Sequence, residues 1–100
     1  MLYVIIAEDI PDSTAKRSAV RSVHMARMTQ MQDSGRLVIS GPCLASDHPD
    51  PATAGIYGSV IIAEFESLPA ARAWADADPY VKAGVWSKVE VRPFHKGFPR

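Results

Sequence analysis

The segment LYVIIA, residues 2–7, is an uninterrupted apolar run rich in β-branched side chains at the start of the chain. Because polar residues do not alternate with the apolar ones, the run predicts a central strand that is covered on both faces. Residues 9–12, which begin and end with aspartate and include Pro11, end the strand. The fold is therefore expected to be built outward from a buried N-terminal strand.

A long helix is predicted after this strand. Ser13 is a suitable N-cap, and Gly35 is placed to stop the helix after about Ser34. Apolar residues recur at helical spacings and predict one buried stripe, formed by Val20, Val23, Met28 and Met31. At about 100° per residue, His24 falls within that stripe.

The remainder of the chain predicts three more strands and two more helical segments. In order, these are a strand from residue 37 that ends at Gly41-Pro42, a loop over 45–55, a strand over 59–65, a helix capped by Ser67, a single helical turn opened by Asp78-Pro79-Tyr80, and a strand over 85–94. The order β-α-β-β-α-β is that of the ferredoxin-like fold, an α+β class with a four-stranded antiparallel sheet and helices on one face. One domain over residues 1–100 is expected.

This arrangement leaves one face of the sheet bare. The strands carry apolar residues on both sides, so two such sheets are expected to pack face to face. The sequence therefore predicts a homodimer.

Composition argues against several functions. Eleven Lys and Arg residues balance eleven Asp and Glu residues, and the basic residues are scattered, so nucleic acid is not an expected partner. No apolar run approaches the roughly 20 residues of a membrane span, and no signal peptide is evident, so the cytoplasm is the expected compartment. Cys43 is the only cysteine, His48 lies in a loop without rigid support, and no nucleotide-binding motif is present. Neither a metal nor another cofactor is expected.

His24 and Asp78 are the candidates for chemistry. A histidine on an apolar stripe costs desolvation unless a partner hydrogen-bonds it, and a carboxylate would also tune its basicity. The alternatives are a core histidine bonded to backbone, and an aspartate that only caps a helix. Asp76 is a competing carboxylate that is expected to be solvated.

Arg17 and Arg21 lie four residues apart near His24. They are either a solvated helix shoulder or a clamp for a substrate carboxylate. Gly41 is either a strand exit or a point where a ligand approaches the backbone. Two further expectations concern packing: Tyr80 and Trp86 are expected to be core or interface aromatics, and Cys43 a small apolar filler.

The chain resembles the YciI-like (YCII-related) family over nearly its whole length. The segments that carry the resemblance are MLYV at residues 1–4, RSVH at 21–24, GRL at 35–37 with GP at 41–42, IAEF at 62–65 with Ser67, WADADPY at 74–80 and VRPF at 91–94. The resemblance implies a ferredoxin-like fold, a dimeric α/β-barrel assembly, and an active site centred on His24 and Asp78. It also implies a relationship to muconolactone isomerases and a chloromuconolactone dehalogenase.

Together these features favour an enzyme that uses a His24–Asp78 acid/base pair on a small anionic carbonyl compound, with Arg17, Arg21 and Gly41 binding the substrate. One alternative is a non-catalytic dimeric module that binds a small ligand or supports assembly. Another is a cofactor-free monooxygenase acting on an electron-rich aromatic compound.

Overall fold

All residues from 1 to 100 are described by the computed structural model. The strands are β1 (Leu2–Asp9), β2 (Leu37–Leu44), β3 (Ile56–Glu64) and β4 (Trp86–Phe94). The helices are α1 (Thr14–Asp33), α2 (Pro51–Ala54), α3 (Leu68–Asp76) and α4 (Pro79–Lys82). The predicted order of elements is confirmed, and α2 is an added single turn.

The four strands form one antiparallel sheet in the order β2-β3-β1-β4. Strand β1 is central, and its Ile5 pairs with Ile61 on one side and Val91 on the other. This is the strand order in which β1, α1 and β2 form a split βαβ unit with β3 inserted between the strands. The predicted α+β ferredoxin-like class is confirmed.

Burial alternates along β1, contrary to the prediction of a strand covered on both faces. Tyr3, Ile5 and Ala7 are buried on the helix-covered face, where they join core residues from α1, α3 and α4. On the opposite face Ile6 remains 44% exposed. The apolar run therefore reflects one covered face and one open face within a single chain.

The boundaries of β2 and β3 differ from those predicted. Strand β2 continues to Leu44, past Gly41 and Pro42, which pair with Val60 and Ser59 of β3. An edge strand tolerates a proline because one row of its backbone N–H groups has no strand partner. Strand β3 accordingly begins at Ile56, before the predicted residue 59.

The segment predicted to be a loop contains α2. Asp50 caps this turn by accepting a hydrogen bond from the Ala52 backbone N–H, and Pro51 occupies its first position. An aspartate followed by proline is a typical helix start. The prediction of an irregular segment throughout 45–55 was therefore wrong at 51–54.

Helix α1 ends as predicted, with Gly35 in the left-handed region at φ 74°. Val23, however, is 56% exposed and does not belong to the buried stripe. The stripe is centred near His24, and Val23 lies about 100° away from it around the helix. Cys43 is also exposed, so its prediction as an apolar filler was wrong.

Candidate active site

A cavity of about 500 Å³ lies between α1 and the β2–β3 side of the sheet. We call it the α1 cavity. Its wall includes the predicted site residues Arg17, Arg21, His24 and Gly41. Asp78 is not in the wall, because its side chain is completely buried.

Much of the wall is apolar. The contributing residues are Met25 and Met28 of α1, Pro42 of β2, and Ile56 and Ile61 of β3. Such surfaces suit the faces of a small organic molecule, while a few polar groups fix its orientation. The α1 cavity combines both kinds of surface.

His24 joins the cavity to Asp78. Its Nδ1 atom lies 3.0 Å from each carboxyl oxygen of Asp78, and only 12% of its side chain is exposed. The two residues are 54 positions apart in the chain, so α1 and the start of α4 must pack together to form the contact. With Nδ1 held by Asp78, Nε2 is the ring nitrogen available to a molecule in the cavity.

Asp78 has two further partners. Arg27 donates from Nη1 to Oδ2 at 2.8 Å, and the Tyr80 backbone N–H donates to Oδ1 at 2.9 Å. Because both partners donate, the carboxylate acts as acceptor, and Nδ1 of His24 is assigned as the protonated nitrogen. The Asp78 side chain both caps α4 and contacts His24, two roles that a carboxylate with two oxygens can combine.

Aromatic rings surround His24. The Tyr80 ring stacks on it with centroids 4.1 Å apart and planes at 19°, and Trp86 presents an edge at 5.9 Å. Both aromatic residues are buried, as expected for core residues. Tyr80 also lines the α1 cavity.

Arg17 belongs to a second buried cluster. It donates to Asp9 from Nε at 2.7 Å and from Nη2 at 3.0 Å, and Nη2 also reaches the Ser59 hydroxyl at 3.1 Å. Ser13 donates to the same aspartate at 2.6 Å instead of capping α1 with its side chain. Arg17 is thus neither a solvated shoulder nor a cation without a counter-charge.

Arg21 differs from Arg17. It is exposed and lines the cavity, and none of the ion pairs in the structure involves it. Its guanidinium is therefore available to an anion in the cavity.

Burial raises the pKa of the Tyr80 phenol above its usual value of 10.0. The charges of Arg17 and Arg21 oppose this shift, and the charge of Asp78 adds to it. The phenol therefore stays protonated throughout the neutral pH range.

Asp9 and Arg27 were missed by the sequence analysis. Asp9 was interpreted only as part of a strand break, although its alternation with Ala7 places it on the covered face of β1. Arg27 lies three residues after His24, on the same side of α1, and that spacing was the available signal. Asp76 is exposed and pairs with Arg72 at 3.2 Å, as expected for the competing carboxylate.

No group of three or more His, Cys, Asp and Glu side chains is arranged to hold a metal ion. His48 instead accepts a hydrogen bond at Nδ1 from the Asp50 backbone N–H. In addition, none of the helices combines the length and apolar character that crossing a bilayer requires.

Two bacterial proteins resemble this chain in sequence over almost its whole length. Protein YciI of Escherichia coli O6:H1 is 58% identical over 98 residues, which cover 98% of this chain and 100% of that protein. An uncharacterized protein of Haemophilus influenzae is 52% identical over 98 residues, with the same coverage.

A solved structure extends the comparison. The 5-chloro-2-hydroxyhydroquinone dehydrochlorinase of Burkholderia phenoliruptrix AC1100, in complex with 2,5-dihydroxybenzoquinone, superimposes with a TM-score of 0.86 at 26% sequence identity. The match covers 97% of this chain and 96% of that one. The fold is therefore one that supports small-molecule enzyme chemistry in a relative.

The model of the YCII-related domain matches residues 1–95. The chain belongs to the YCII-related domain family.

Proposed function

We propose that this protein is an enzyme that transfers a proton on a small anionic carbonyl compound, with His24 as general base and Asp78 as its positioning residue. The observation that carries the proposal is that His24 borders a cavity while its Nδ1 is held by a fully buried carboxylate. A base of this kind is oriented before the substrate arrives.

In the proposed reaction, Nε2 of His24 takes a proton from a carbon next to the carbonyl group. The C–H electron pair becomes a carbon–carbon double bond, and the carbonyl π pair moves onto oxygen to give an enolate. The negative charge of Asp78 stabilises the imidazolium, as the third member does in a triad. Returning the proton to another carbon gives isomerisation, and expelling a leaving group gives elimination.

Arg21 is proposed to bind the anionic group of the substrate, because its charge is not balanced by a carboxylate. Arg17 forms the neighbouring wall, but Asp9 already occupies two of its donor nitrogens. Gly41 leaves room beside the β2 backbone, since nothing lies within 4 Å of the position a Cβ would take. Bidentate guanidinium recognition and close backbone approach together would fix the orientation of the substrate.

The comparison with the dehydrochlorinase supports a hydroxylated quinone or hydroquinone as a first substrate to try. That relative is named for 5-chloro-2-hydroxyhydroquinone and holds 2,5-dihydroxybenzoquinone. Loss of HCl from such a ring needs a base for the proton and space for the departing chloride. The His24 base and the apolar part of the cavity meet these needs.

The test is turnover of 5-chloro-2-hydroxyhydroquinone, followed by chloride release, and of muconolactone, followed by exchange of carbon-bound hydrogen for deuterium. The wild-type protein should turn over at least one of them. His24→Gln should lower the rate about 10²–10⁴-fold, the usual worth of a general base. His95→Gln, at an exposed position beyond β4, is the matched control.

Two results would count against the proposal. Equal rates for His24→Gln and wild type would show that His24 is not the general base. Tight binding of both compounds without turnover would favour the alternative, a ligand-binding module.

We also propose that the protein forms a homodimer through the open face of the sheet. On this face Val4 pairs with Ile62 and Ile6 with Val60, and Ile39 of β2 is 61% exposed beside them. A contiguous apolar surface of this kind favours association with a second copy.

A further inference from the structure

We propose that Tyr80 is a second catalytic residue, whose phenol hydroxyl donates a hydrogen bond to the substrate oxygen on which negative charge develops. This inference rests on the proposed proton transfer and adds to it the group that receives the displaced electron pair. Sequence analysis gave Tyr80 only a packing role.

Its position is the first argument. Tyr80 borders the same cavity as His24, and the two rings are stacked with centroids 4.1 Å apart. A small ligand that reaches the His24 base therefore lies beside Tyr80 as well. The backbone of Tyr80 is fixed by its N–H bond to Asp78, so one carboxylate positions both the base and the proposed donor.

The free hydroxyl of Tyr80 is the second argument. The Arg17 guanidinium lies 4.6 Å from the centre of the Tyr80 ring, but its hydrogen bonds go to Asp9 and Ser59. No side chain of this protein therefore accepts the hydroxyl proton of Tyr80, and that proton can be donated to a ligand oxygen in the cavity.

Protonation is the third argument. Burial keeps the pKa of this phenol above its usual value, so the group remains a donor at neutral pH. A donor of this kind, held in place before the reaction, stabilises an oxyanion without having to give up its proton.

When Nε2 of His24 takes the proton, the C–H pair forms a double bond and the carbonyl π pair moves to oxygen. Tyr80 donates a hydrogen bond to that oxygen and keeps its own proton. When the proton returns to carbon, the pair on oxygen forms the carbonyl again and the hydrogen bond weakens.

The experiment measures binding of 2,5-dihydroxybenzoquinone, whose ionised form presents oxyanions, by calorimetry and by its visible absorption spectrum. All proteins carry Cys43→Ser, because the exposed thiol would add to quinones. Tyr80→Phe should weaken binding by about 10- to 100-fold, as expected for losing a hydrogen bond to a charged group. It should also abolish the spectral shift of the bound compound. Tyr57→Phe removes an exposed phenol outside the cavity wall and should leave both unchanged.

A second test does not depend on whether Tyr80→Phe folds correctly. In a Tyr3→Phe/Tyr57→Phe background Tyr80 is the remaining tyrosine, and 3-fluorotyrosine incorporated there is a more acidic donor. It should bind the compound more tightly and enlarge the spectral shift. Equal affinity and equal spectra across wild type, Tyr80→Phe and the fluorinated protein would overturn the inference, and so would a wild-type cavity that does not bind the compound.

Failure of the proposed function has a different signature. Loss of turnover in every protein, or turnover without dependence on His24, would contradict the general base. Neither result alters the comparison of affinities between wild type and Tyr80→Phe.

Discussion

Nδ1 of His24 lies at equal distances, 3.0 Å, from the two oxygens of Asp78. The ring is therefore aimed at the middle of the carboxylate, where a single N–H is shared between both acceptors. Arg27 and the Tyr80 backbone N–H approach the same carboxylate from other directions. The buried Asp78 side chain therefore caps α4 and contacts both the proposed base and the Arg27 cation.

Asp78→Asn should change the protonated nitrogen of His24. The amide has one acceptor oxygen for the three donors that contact Asp78, namely the Tyr80 N–H, Arg27 and His24, and its other end is an NH₂ donor. Long-range ¹H–¹⁵N spectra should show Nδ1 protonated in the wild type and a shifted tautomer balance in the variant. Stability should fall by about 1–3 kcal/mol in urea unfolding. Asp76→Asn, at an exposed carboxylate, is the control and should change neither. An identical ¹⁵N pattern in Asp78→Asn would show that the contact does not orient the ring.

Arg27→Met should destabilise the protein through Asp78. Removal of this partner leaves a fully buried carboxylate with one cation fewer, and we expect a loss of about 1–3 kcal/mol. A double-mutant cycle with Asp78→Asn should give a coupling energy of at least about 0.5 kcal/mol, because the two side chains are in direct contact. Additive effects within error would mean that Arg27 acts through its packing on Trp74 instead.

Arg21→Gln and Arg17→Gln should have opposite consequences. Arg21→Gln should weaken binding of an anionic ligand, with little change in stability, because Arg21 is exposed and outside every ion pair. Arg17→Gln should cost about 3–5 kcal/mol of stability, because it leaves the Asp9 carboxylate buried and without its cation. Urea unfolding measures the change in stability, and ligand titration in low and high salt measures the change in affinity. If Arg17→Gln kept full stability but bound the anion weakly, and Arg21→Gln bound it normally, then Arg17 and not Arg21 would be the residue that binds the anion.

The stability contribution of Tyr80 should be lost at high pH. Its folded pKa is raised above the unfolded value of 10.0, so the unfolded chain releases this proton first. The contribution is therefore complete below about pH 9 and declines as pH rises through the folded pKa. The difference in unfolding free energy between wild type and Tyr80→Phe, measured in urea, should be constant from about pH 7 to 9 and shrink above about pH 10. All other groups titrate in both proteins, so their effects cancel in this difference. If the difference in unfolding free energy stayed constant at high pH, the pKa of the Tyr80 phenol would be the same in the folded and unfolded protein, as expected for a phenol exposed to water.

Ile6→Lys should convert the proposed dimer to a monomer. The substitution puts a charge in the middle of the open face, where Ile6 is 44% exposed in the single chain. Light scattering after size exclusion should give half the wild-type mass. Val23→Lys, on the exposed side of α1, is the control and should keep the wild-type mass. A monomeric wild type would exclude association through this face.

The fold was predictable because local patterns agreed with one another. The apolar run at residues 2–7, the helical spacing across α1 and the caps at Ser67 and Asp78 each point to the observed element. Errors occurred where pairing with a neighbour overrides local signals. Strand β2 runs through Gly41 and Pro42 because β3 supplies hydrogen-bond partners there.

The site was predictable to the extent that helical geometry placed its residues. The position of His24 in a stripe and the Asp-Pro start of α4 pointed to two side chains that the structure brings into contact. The burial of Arg17 could not be foreseen, because arginine is seldom buried without a partner and its partner Asp9 lies on a different element. The link from Arg27 to Asp78 spans 51 residues and depends on how α1 docks.

Asp78 both caps α4 and contacts His24, and this affects how sequences in this family should be interpreted. Because Asp78 caps the first turn of α4, folding alone would favour an aspartate there, even in a relative without the proposed activity. The imidazole contributed by α1 stacks on Tyr80 and contacts Asp78, but no helix depends on it for a cap, so its retention or replacement is the better record of whether selection acts on the proposed reaction.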